Sequence, residues 1–227
     1  MVRFVFLDLD DTIFDFHKAE RIALAKTLSE LGLAPNDAVL ARYSEINAAQ
    51  WRLLEKGELT RKEVKVRRYQ LLFEEYGLHL DPALAARTYE RNLGIGHYFV
   101  EGAEELLSDL AGAYRLFLVS NGSVDIQKSR IGSSNIAPYF EGMFISEEIG
   151  YNKPDARFFE AVFSTIPGFV REQAVIIGDS LTSDIKGGQN CAVTTVWFNP
   201  KGVAAKDVQP DHTVLRLCEL PPLLAKL

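Results

Sequence analysis

The chain has 227 residues, of which 47% are hydrophobic and 25% are charged, as in an ordinary folded globular protein. Its 31 acidic residues outnumber its 25 basic ones, and the net charge of −6 argues against a nucleic acid or an anionic membrane as partner. The apolar run near its start is too short for a membrane span or a secretion signal, so we expect a cytoplasmic protein. Two cysteines without metal-binding spacing give no signal of a disulfide framework or a zinc site.

Four short apolar runs follow one another along the chain: Arg3–Leu7, Arg115–Val119, Val175–Ile177 and Val193–Trp197. They are hydrophobic throughout and do not alternate with polar residues, which is typical of parallel strands buried on both faces. Helical stretches separate them. Alternating strands and helices predict an α/β fold with a doubly wound parallel sheet.

Polar or glycine-containing turns follow the first three runs. They are Asp8–Thr12, Ser120–Gly122 and Gly178–Ser180. In an open α/β sheet, ligands bind beyond the carboxyl ends of the strands. All three turns are therefore predicted to face the same crevice.

The interval between the first and second strands is too long for an ordinary connection. A strand–helix–strand unit needs about 30 residues, and this interval holds roughly 80 more. Apolar residues within it recur at helical spacing, for example Leu24, Leu28 and Leu31, and glycines and prolines punctuate the pattern. We therefore predict a helical bundle at residues 16–98, inserted into a catalytic core of residues 1–15 and 99–227.

Several charged residues fall in the predicted crevice. Asp8 and Asp10 are two apart, so a continued strand would place both side chains on one side, where they would repel unless a cation intervened. A hard divalent ion, Mg²⁺ above all, prefers such oxygens. Asp179 supplies another carboxylate, and Lys153 adds a positive charge. With the Ser120–Asn121 turn, they predict a phosphoryl group held between a metal and a cation.

Four segments resemble, in order, the four motifs of the haloacid dehalogenase superfamily. They are Asp8–Phe14, Val119–Gly122, Lys153–Pro154 and Gly178–Asp184. The resemblance spans nearly the whole chain, because the helical insert is similar to that superfamily's first class of cap domain. It implies a Rossmann-like catalytic core.

A narrower resemblance links the chain to the bacterial pyrimidine 5'-nucleotidases of the same superfamily. It rests on four local stretches: Trp51–Thr60, Ile145–Gly150, Ser180–Ile185 and Gly187–Gly188. This resemblance implies that the substrate is a small phosphorylated metabolite, a nucleoside 5'-monophosphate.

The superfamily resemblance also implies roles for individual residues. Asp8 is the nucleophile that takes the phosphoryl group as an aspartyl phosphate. Asp10 protonates the leaving oxygen and then activates the water that hydrolyses the intermediate. Ser120, Asn121 and Lys153 hold the phosphate oxygens.

The metal ligands implied by the same resemblance are Asp8, the backbone carbonyl of Asp10, and Asp179. Asp184 either binds the Mg²⁺ ion directly or lies just beyond its ligands. The alternative for Asp184 is an acidic residue at a helix start, where the helix dipole favours it.

The predicted function is Mg²⁺-dependent hydrolysis of nucleoside 5'-monophosphates, most of all those of pyrimidines. A sugar-phosphate phosphatase or a phosphomutase would share all four motifs. A haloacid dehalogenase would lack the acid at the position of Asp10, and a phospho-accepting signalling domain would lack the long helical insert. The oligomeric state is left open.

Two aromatic residues are candidates for contact with the substrate. If Trp51 or Phe14 lines the enclosed space, its ring could stack on a nucleobase. The alternative is that Trp51 packs in the core of the helical insert. The insert is the only segment large enough to discriminate between leaving groups, so we expect substrate choice to depend on it.

Overall fold

Six parallel strands form the sheet of the protein, which the computed structural model describes from Met1 to Leu227. They are β1 (Phe4–Leu7), β2 (Arg115–Ser120), β3 (Gly142–Ile145), β4 (Ala174–Gly178), β5 (Thr194–Phe198) and β6 (His212–Val214). Their order in the sheet is β3-β2-β1-β4-β5-β6, and each neighbouring pair is parallel. The predicted doubly wound α/β fold is confirmed. The order reverses between β1 and β4, where such folds bind their ligands.

The sequence pattern misses two strands, and both lie at an edge of the sheet. In β3, the apolar run Met143–Ile145 has only three residues, follows Gly142 and includes the exposed Met143. The other, β6, has three residues and begins with His212 and Thr213. An edge strand pairs on one side only and is often short, so it need not be hydrophobic throughout.

Ten α-helices accompany the strands. They are α1 (Phe16–Glu30), α2 (Asp37–Glu55), α3 (Arg61–Glu75), α4 (Pro82–Leu93), α5 (Ala103–Leu110), α6 (Val124–Ser134), α7 (Ser146–Ile149), α8 (Ala156–Ser164), α9 (Lys186–Asn190) and α10 (Leu220–Leu224). No helix combines the length and the apolar character that crossing a membrane requires.

The contacts divide the chain into two compact units: Met1–Asp15 with Tyr98–Leu227, and Phe16–His97. The predicted boundary falls one residue later, after Tyr98. Tyr98 belongs with the first unit because its backbone oxygen accepts a hydrogen bond from the backbone N–H of Asp15 at 2.8 Å.

In the first unit, the central strands of the sheet are buried on both faces. Alternate side chains of β1 enter two different hydrophobic clusters, because successive residues of a strand point to opposite faces. Val5 and Leu7 pack with residues of α5 and α10. Phe4 and Phe6 pack with residues of α8. The helices thus cover both faces and leave the strand ends for polar residues.

The second unit consists of helices α1 to α4, three of which begin at side-chain caps. The Asn36 side chain accepts from the backbone N–H of Val39, and Asp81 accepts from that of Ala83. Thr60 and Glu63 form a reciprocal capping box at the start of α3. These caps satisfy backbone donors that a helix start would otherwise leave unpaired.

Candidate functional site

Three carboxylates meet at the carboxyl ends of β1 and β4. Leu7 and Ile177 are paired across these parallel strands, so the chain leaves both at the same edge of the sheet. Asp8 and Asp179 follow directly, and Asp184 lies in the π-helical turn after β4. One oxygen from each of the three carboxylates lies within 4.8 Å of the others. The predicted convergence of the first and fourth motifs is therefore present in the structure.

Backbone geometry places Asp184 against β4. A Cβ on Gly178, the last residue of β4, would lie 2.2 Å from Oδ2 of Asp184, so the strand can end there only with a glycine. The backbone N–H of Ser180 donates to the same oxygen at 3.2 Å. Trp197 fixes the neighbouring residue, because its Nε1 donates to the backbone oxygen of Asp179 at 2.7 Å.

Lys153 is the cation of this cluster, and its side chain is buried. Nζ donates to Oδ1 of Asp8 at 2.5 Å, to Oδ1 of Asp184 at 2.6 Å and to the backbone oxygen of Val119 at 2.9 Å. An ammonium has three hydrogens, and here protein acceptors take all three. Lys153 therefore joins the first and fourth motifs to the end of β2.

The electrostatics of the cluster are unbalanced. Burial raises the pKa of Asp8 well above its usual value, the charge of Asp184 raises it further, and Lys153 opposes both. Burial and the charges of Asp8 and Asp184 likewise raise the pKa of Asp179. Burial acts to lower the pKa of Lys153, but Asp184 and Asp8 together raise it above its usual value.

Three buried or half-buried carboxylates thus face a single ammonium group. Taken together they carry an excess of negative charge, which a bound cation would neutralise. The donor set consists of carboxylate oxygens, which suit a hard divalent ion such as Mg²⁺.

Asn121 connects β2 with the segment that holds Lys153. Its Oδ1 accepts from the backbone N–H of Lys153 at 2.8 Å, and its Nδ2 donates to the backbone oxygen of Lys153 at 2.9 Å. The same Nδ2 donates to Ser183 Oγ at 3.2 Å. Both amide hydrogens are therefore used within the protein, and the Asn121 side chain holds the Lys153 backbone in place.

The Asp10 carboxylate is bound by different side chains from those that surround Asp8. Oδ1 accepts from Nη1 of Arg130 at 2.5 Å, and Oδ2 accepts from Nε2 of Gln127 at 2.6 Å. Gln127 also donates to Ser120 Oγ at 2.9 Å. Gln127 thus binds both the Asp10 carboxylate and the Ser120 hydroxyl, and Arg130 binds the carboxylate.

Sequence reasoning missed Gln127 and Arg130. The available signal is their i, i+3 spacing on the helix that follows the Ser120–Gly122 turn, which places both on one face. The other residues of α6 are mostly polar, so nothing in the composition of this helix separates a buried polar face from a solvated one.

The two aromatic candidates differ in their surroundings. The Phe14 ring is fully buried in the core of the first unit, 5.3 Å from the Phe99 ring and beneath the Arg130 guanidinium. It presents no ring face to a substrate here. Trp51 is half-buried in the second unit, and the Arg61 guanidinium lies 5.5 Å from its ring centre.

Comparison with known proteins agrees with this geometry. Residues 2–191 match the hydrolase family described as haloacid dehalogenase-like hydrolase. The chain belongs to the haloacid dehalogenase-like hydrolase family. The family predicted from the four motifs is thus confirmed, and the chain is a hydrolase.

Two curated relatives match almost the whole chain. HAD-hydrolase YfnB of Bacillus subtilis (strain 168) is 39% identical over 98% of this chain and 95% of its own. Pyrimidine 5'-nucleotidase PynA of Streptococcus pneumoniae (strain ATCC BAA-255 / R6) is 38% identical over 99% of this chain and 95% of its own. A crystal structure of Bacillus subtilis YfnB bound to magnesium superposes with a TM-score of 0.94 and 38% identity, covering 98% of both chains.

Proposed function

We propose that the protein is a Mg²⁺-dependent phosphatase that hydrolyses nucleoside 5'-monophosphates, with a preference for pyrimidine nucleotides. The observation that carries the proposal is the buried cluster of Asp8, Asp179 and Asp184 around Lys153. The similarity to a pyrimidine 5'-nucleotidase over nearly the full chain supports the choice of substrate.

The metal would be held by carboxylate oxygens of Asp8, Asp179 and Asp184 and by the backbone carbonyl of Asp10. When bound, Mg²⁺ neutralises charge on the phosphoryl oxygens and orients the group for in-line displacement. The excess negative charge of the three carboxylates is the feature of this chain that fits such an ion.

In the first half-reaction, an Asp8 carboxylate oxygen attacks phosphorus. The bond from Asp8 to phosphorus forms as the bond from phosphorus to the 5'-oxygen breaks, and Asp10 gives its proton to that oxygen. The products are a nucleoside and an aspartyl phosphate. Lys153 favours the attacking form of Asp8, because its ammonium donates directly to the Asp8 carboxylate.

In the second half-reaction, Asp10 is the base. Its carboxylate takes a proton from a water molecule that attacks phosphorus, the bond to Asp8 breaks, and inorganic phosphate leaves. Asp8 is regenerated as a carboxylate, and Asp10 holds the proton for the next cycle. One residue thus serves both steps without a net proton change.

The phosphate oxygens are assigned to Ser120, Asn121 and Lys153, in different ways. Ser120 Oγ accepts two hydrogen bonds, from Gly122 and Gln127, so its own hydrogen is available to an anion. Asn121 uses both side-chain hydrogens within the protein, so its side chain would have to release one of these bonds to contact phosphate directly. Lys153 would have to release one of its three bonds to contact phosphate directly.

We assign choice of leaving group to the second unit, Phe16–His97. The polar residues described above recognise the phosphoryl group, which all phosphate monoesters share, so discrimination requires other residues. Trp51 is the aromatic candidate: Trp51→Ala should lower kcat/KM for a nucleotide about 5-fold to 100-fold and affect acetyl phosphate much less. Equal losses for both substrates, with a lower Tm, would place Trp51 in the core of its unit.

The proposal is tested by phosphate release from a panel of nucleoside 5'-monophosphates and sugar phosphates, with Mg²⁺ and with a chelator. We expect the highest kcat/KM for pyrimidine nucleotides, no activity after chelation, and recovery on adding Mg²⁺. Full activity after exhaustive chelation would contradict the mechanism. Higher kcat/KM for a sugar phosphate than for every nucleotide would contradict the substrate class.

A further inference from the structure

A buried glutamine and a buried arginine on α6 face the Asp10 carboxylate. Gln127 and Arg130 are each 1% exposed, and their i, i+3 spacing places them on one helix face. The arginine binds one carboxylate oxygen at 2.5 Å, and the glutamine binds the other at 2.6 Å. Because each oxygen has its own donor, the carboxylate cannot rotate without breaking both bonds.

The amide of Gln127 also fixes the Ser120 hydroxyl. Nε2 has two hydrogens, and the second donates to Ser120 Oγ at 2.9 Å. The backbone N–H of Gly122 donates to the same oxygen at 3.0 Å. A hydroxyl oxygen accepts two hydrogen bonds, so both acceptor positions are filled and the direction of the Ser120 hydrogen is set.

Packing holds this pair of side chains in place. Arg130 Nη1 donates to Oε1 of Gln127 at 3.0 Å, and its guanidinium lies 5.1 Å from the centre of the Phe14 ring. A Cβ on Gly122 would lie 2.2 Å from Nε2 of Gln127, so the amide occupies space that only a glycine leaves open. A fully buried arginine is costly for a fold unless it is well paired, and here its charged partner is Asp10.

We propose that Gln127 and Arg130 are positioning residues for the phosphatase reaction. Arg130 holds the Asp10 carboxylate in one orientation, and Gln127 couples that orientation to the direction of the Ser120 hydroxyl. Neither residue needs to touch the substrate. The inference rests on the proposed function, because that function gives Asp10 and Ser120 their roles.

A comparison of two substrates with different leaving groups distinguishes this positioning role from a purely structural one. The 5'-oxygen of a nucleoside is a poor leaving group and needs the proton that Asp10 delivers. The p-nitrophenolate of p-nitrophenyl phosphate leaves with little help from an acid. A misplaced Asp10 therefore slows transfer from the nucleotide far more than transfer from p-nitrophenyl phosphate, whereas a damaged fold slows both equally.

The first variant is Arg130→Met, which keeps an unbranched, flexible side chain and removes the charge. We expect kcat/KM for a pyrimidine 5'-monophosphate, which depends on phosphoryl transfer and not on hydrolysis of the shared intermediate, to fall about 10- to 100-fold, part of the 10²- to 10⁴-fold that an acid or base contributes. The fall for p-nitrophenyl phosphate should be under about threefold. Arg130→Lys, which retains a donor and the charge, should recover part of the loss.

The second variant is Gln127→Met, which removes the bonds to Asp10 and to Ser120 together. It should show the same dependence on the leaving group, and also a higher KM for both substrates, because the phosphate donor Ser120 loses its orientation. The matched control is Lys128→Gln on the same helix. Lys128 is exposed and pairs with Glu148 at the surface, so its replacement should change kcat and KM for neither substrate.

A double-substitution cycle shows whether the effect passes through Asp10. Adding Arg130→Met to Asp10→Asn should cost no further activity, because the residue that Arg130 positions has already lost its function. A further tenfold loss in the Asp10→Asn background would mean that Arg130 acts elsewhere, and would overturn the inference.

Other outcomes also decide the inference. Parallel losses for both substrates with a lower Tm would assign Arg130 and Gln127 to the fold alone and leave the phosphatase function standing. If Arg130→Met does not fold, Arg130→Lys and Gln127→Met decide by the same comparison. A wild-type chain that hydrolyses neither substrate overturns the proposed function, and this inference with it.

Discussion

Both units of the protein bury charged side chains, but they do so in opposite ways. In the first unit, Asp8, Asp179 and Asp184 surround a single lysine, so negative charge remains in excess. In the second unit, the buried Arg68 and Glu20 carry opposite charges.

In the second unit, these buried polar groups are joined to one another by hydrogen bonds. Arg68 Nη1 donates to Asn47 Oδ1 at 2.9 Å, and Asn47 Nδ2 donates to Glu20 Oε1 at 2.7 Å. The rings of Tyr43, Tyr69 and Tyr89 surround the guanidinium, the nearest with its centre at 4.7 Å. A buried charge that is fully paired within the protein is a structural feature, whereas one left in excess indicates a missing partner.

The largest effect we predict is on turnover, at the cluster of Asp8, Asp179 and Asp184. Asp8→Asn removes the attacking oxygen and should lower kcat by more than about 1,000-fold. The Tm of the metal-free variant should be at least that of the wild type, because the raised pKa of Asp8 means that its charge is unfavourable in the fold. Activity assays and calorimetry on one preparation test both. More than a tenth of wild-type activity would remove Asp8 from its role.

The second effect is on stability, at the cluster of Arg68, Asn47 and Glu20. Arg68→Met should lower the free energy of unfolding by about 3 kcal/mol, because it takes the cation out of a buried network and leaves the Asn47 oxygen without its donor. Chemical denaturation measures the change. An unchanged free energy of unfolding would show that the network contributes nothing to the fold and would remove the contrast between the clusters.

The third effect is the response to metal. Mg²⁺ at a hundred times its Kd should stabilise the wild-type protein by about 2.7 kcal/mol, because only the folded chain brings the three carboxylates together. The Asp179→Ala variant should lose most of this stabilisation by Mg²⁺, and the Arg68→Met variant should keep it. Thermal unfolding with and without Mg²⁺ provides the measurement. An equal shift in the Asp179→Ala variant would place the ion elsewhere.

The smallest effect concerns pH and Glu20. Burial raises the pKa of Glu20 above its ordinary value of 4.5, although hydrogen bonds from Ser44 and Asn47 oppose the shift. The folded chain therefore binds this proton more readily than the unfolded chain, and Glu20 costs stability at neutral pH. Glu20→Gln should raise the Tm at neutral pH.

That gain should shrink as the pH falls from the raised pKa towards 4.5, because wild-type Glu20 takes up its proton in the folded state, and below 4.5 it is protonated in both states. Thermal unfolding of both proteins across this range tests the sign. A gain that is constant with pH would mean that the charge of Glu20 is not its source.

Much of the first unit could be predicted because its signals are local. A central parallel strand is hydrophobic throughout, so β1, β2, β4 and β5 are visible in the sequence. The carboxyl ends of such strands share one edge, so the meeting of Asp8 with Asp179 can be predicted from the sequence. The edge strands β3 and β6 have only four and three residues and include a glycine or polar residues, and for that reason the pattern did not reveal them.

The α/β class, the long helical insert and the polar residues at the strand ends can all be predicted from the sequence, because each follows from spacing along the chain. The pairing of the polar side chains is visible only in the folded protein. The fold places Arg130 and Gln127 on Asp10, turns the Asn121 side chain towards Lys153, and buries Phe14 in the core. Such pairings depend on side-chain direction between elements that are distant in sequence, and residue type and spacing do not encode that direction.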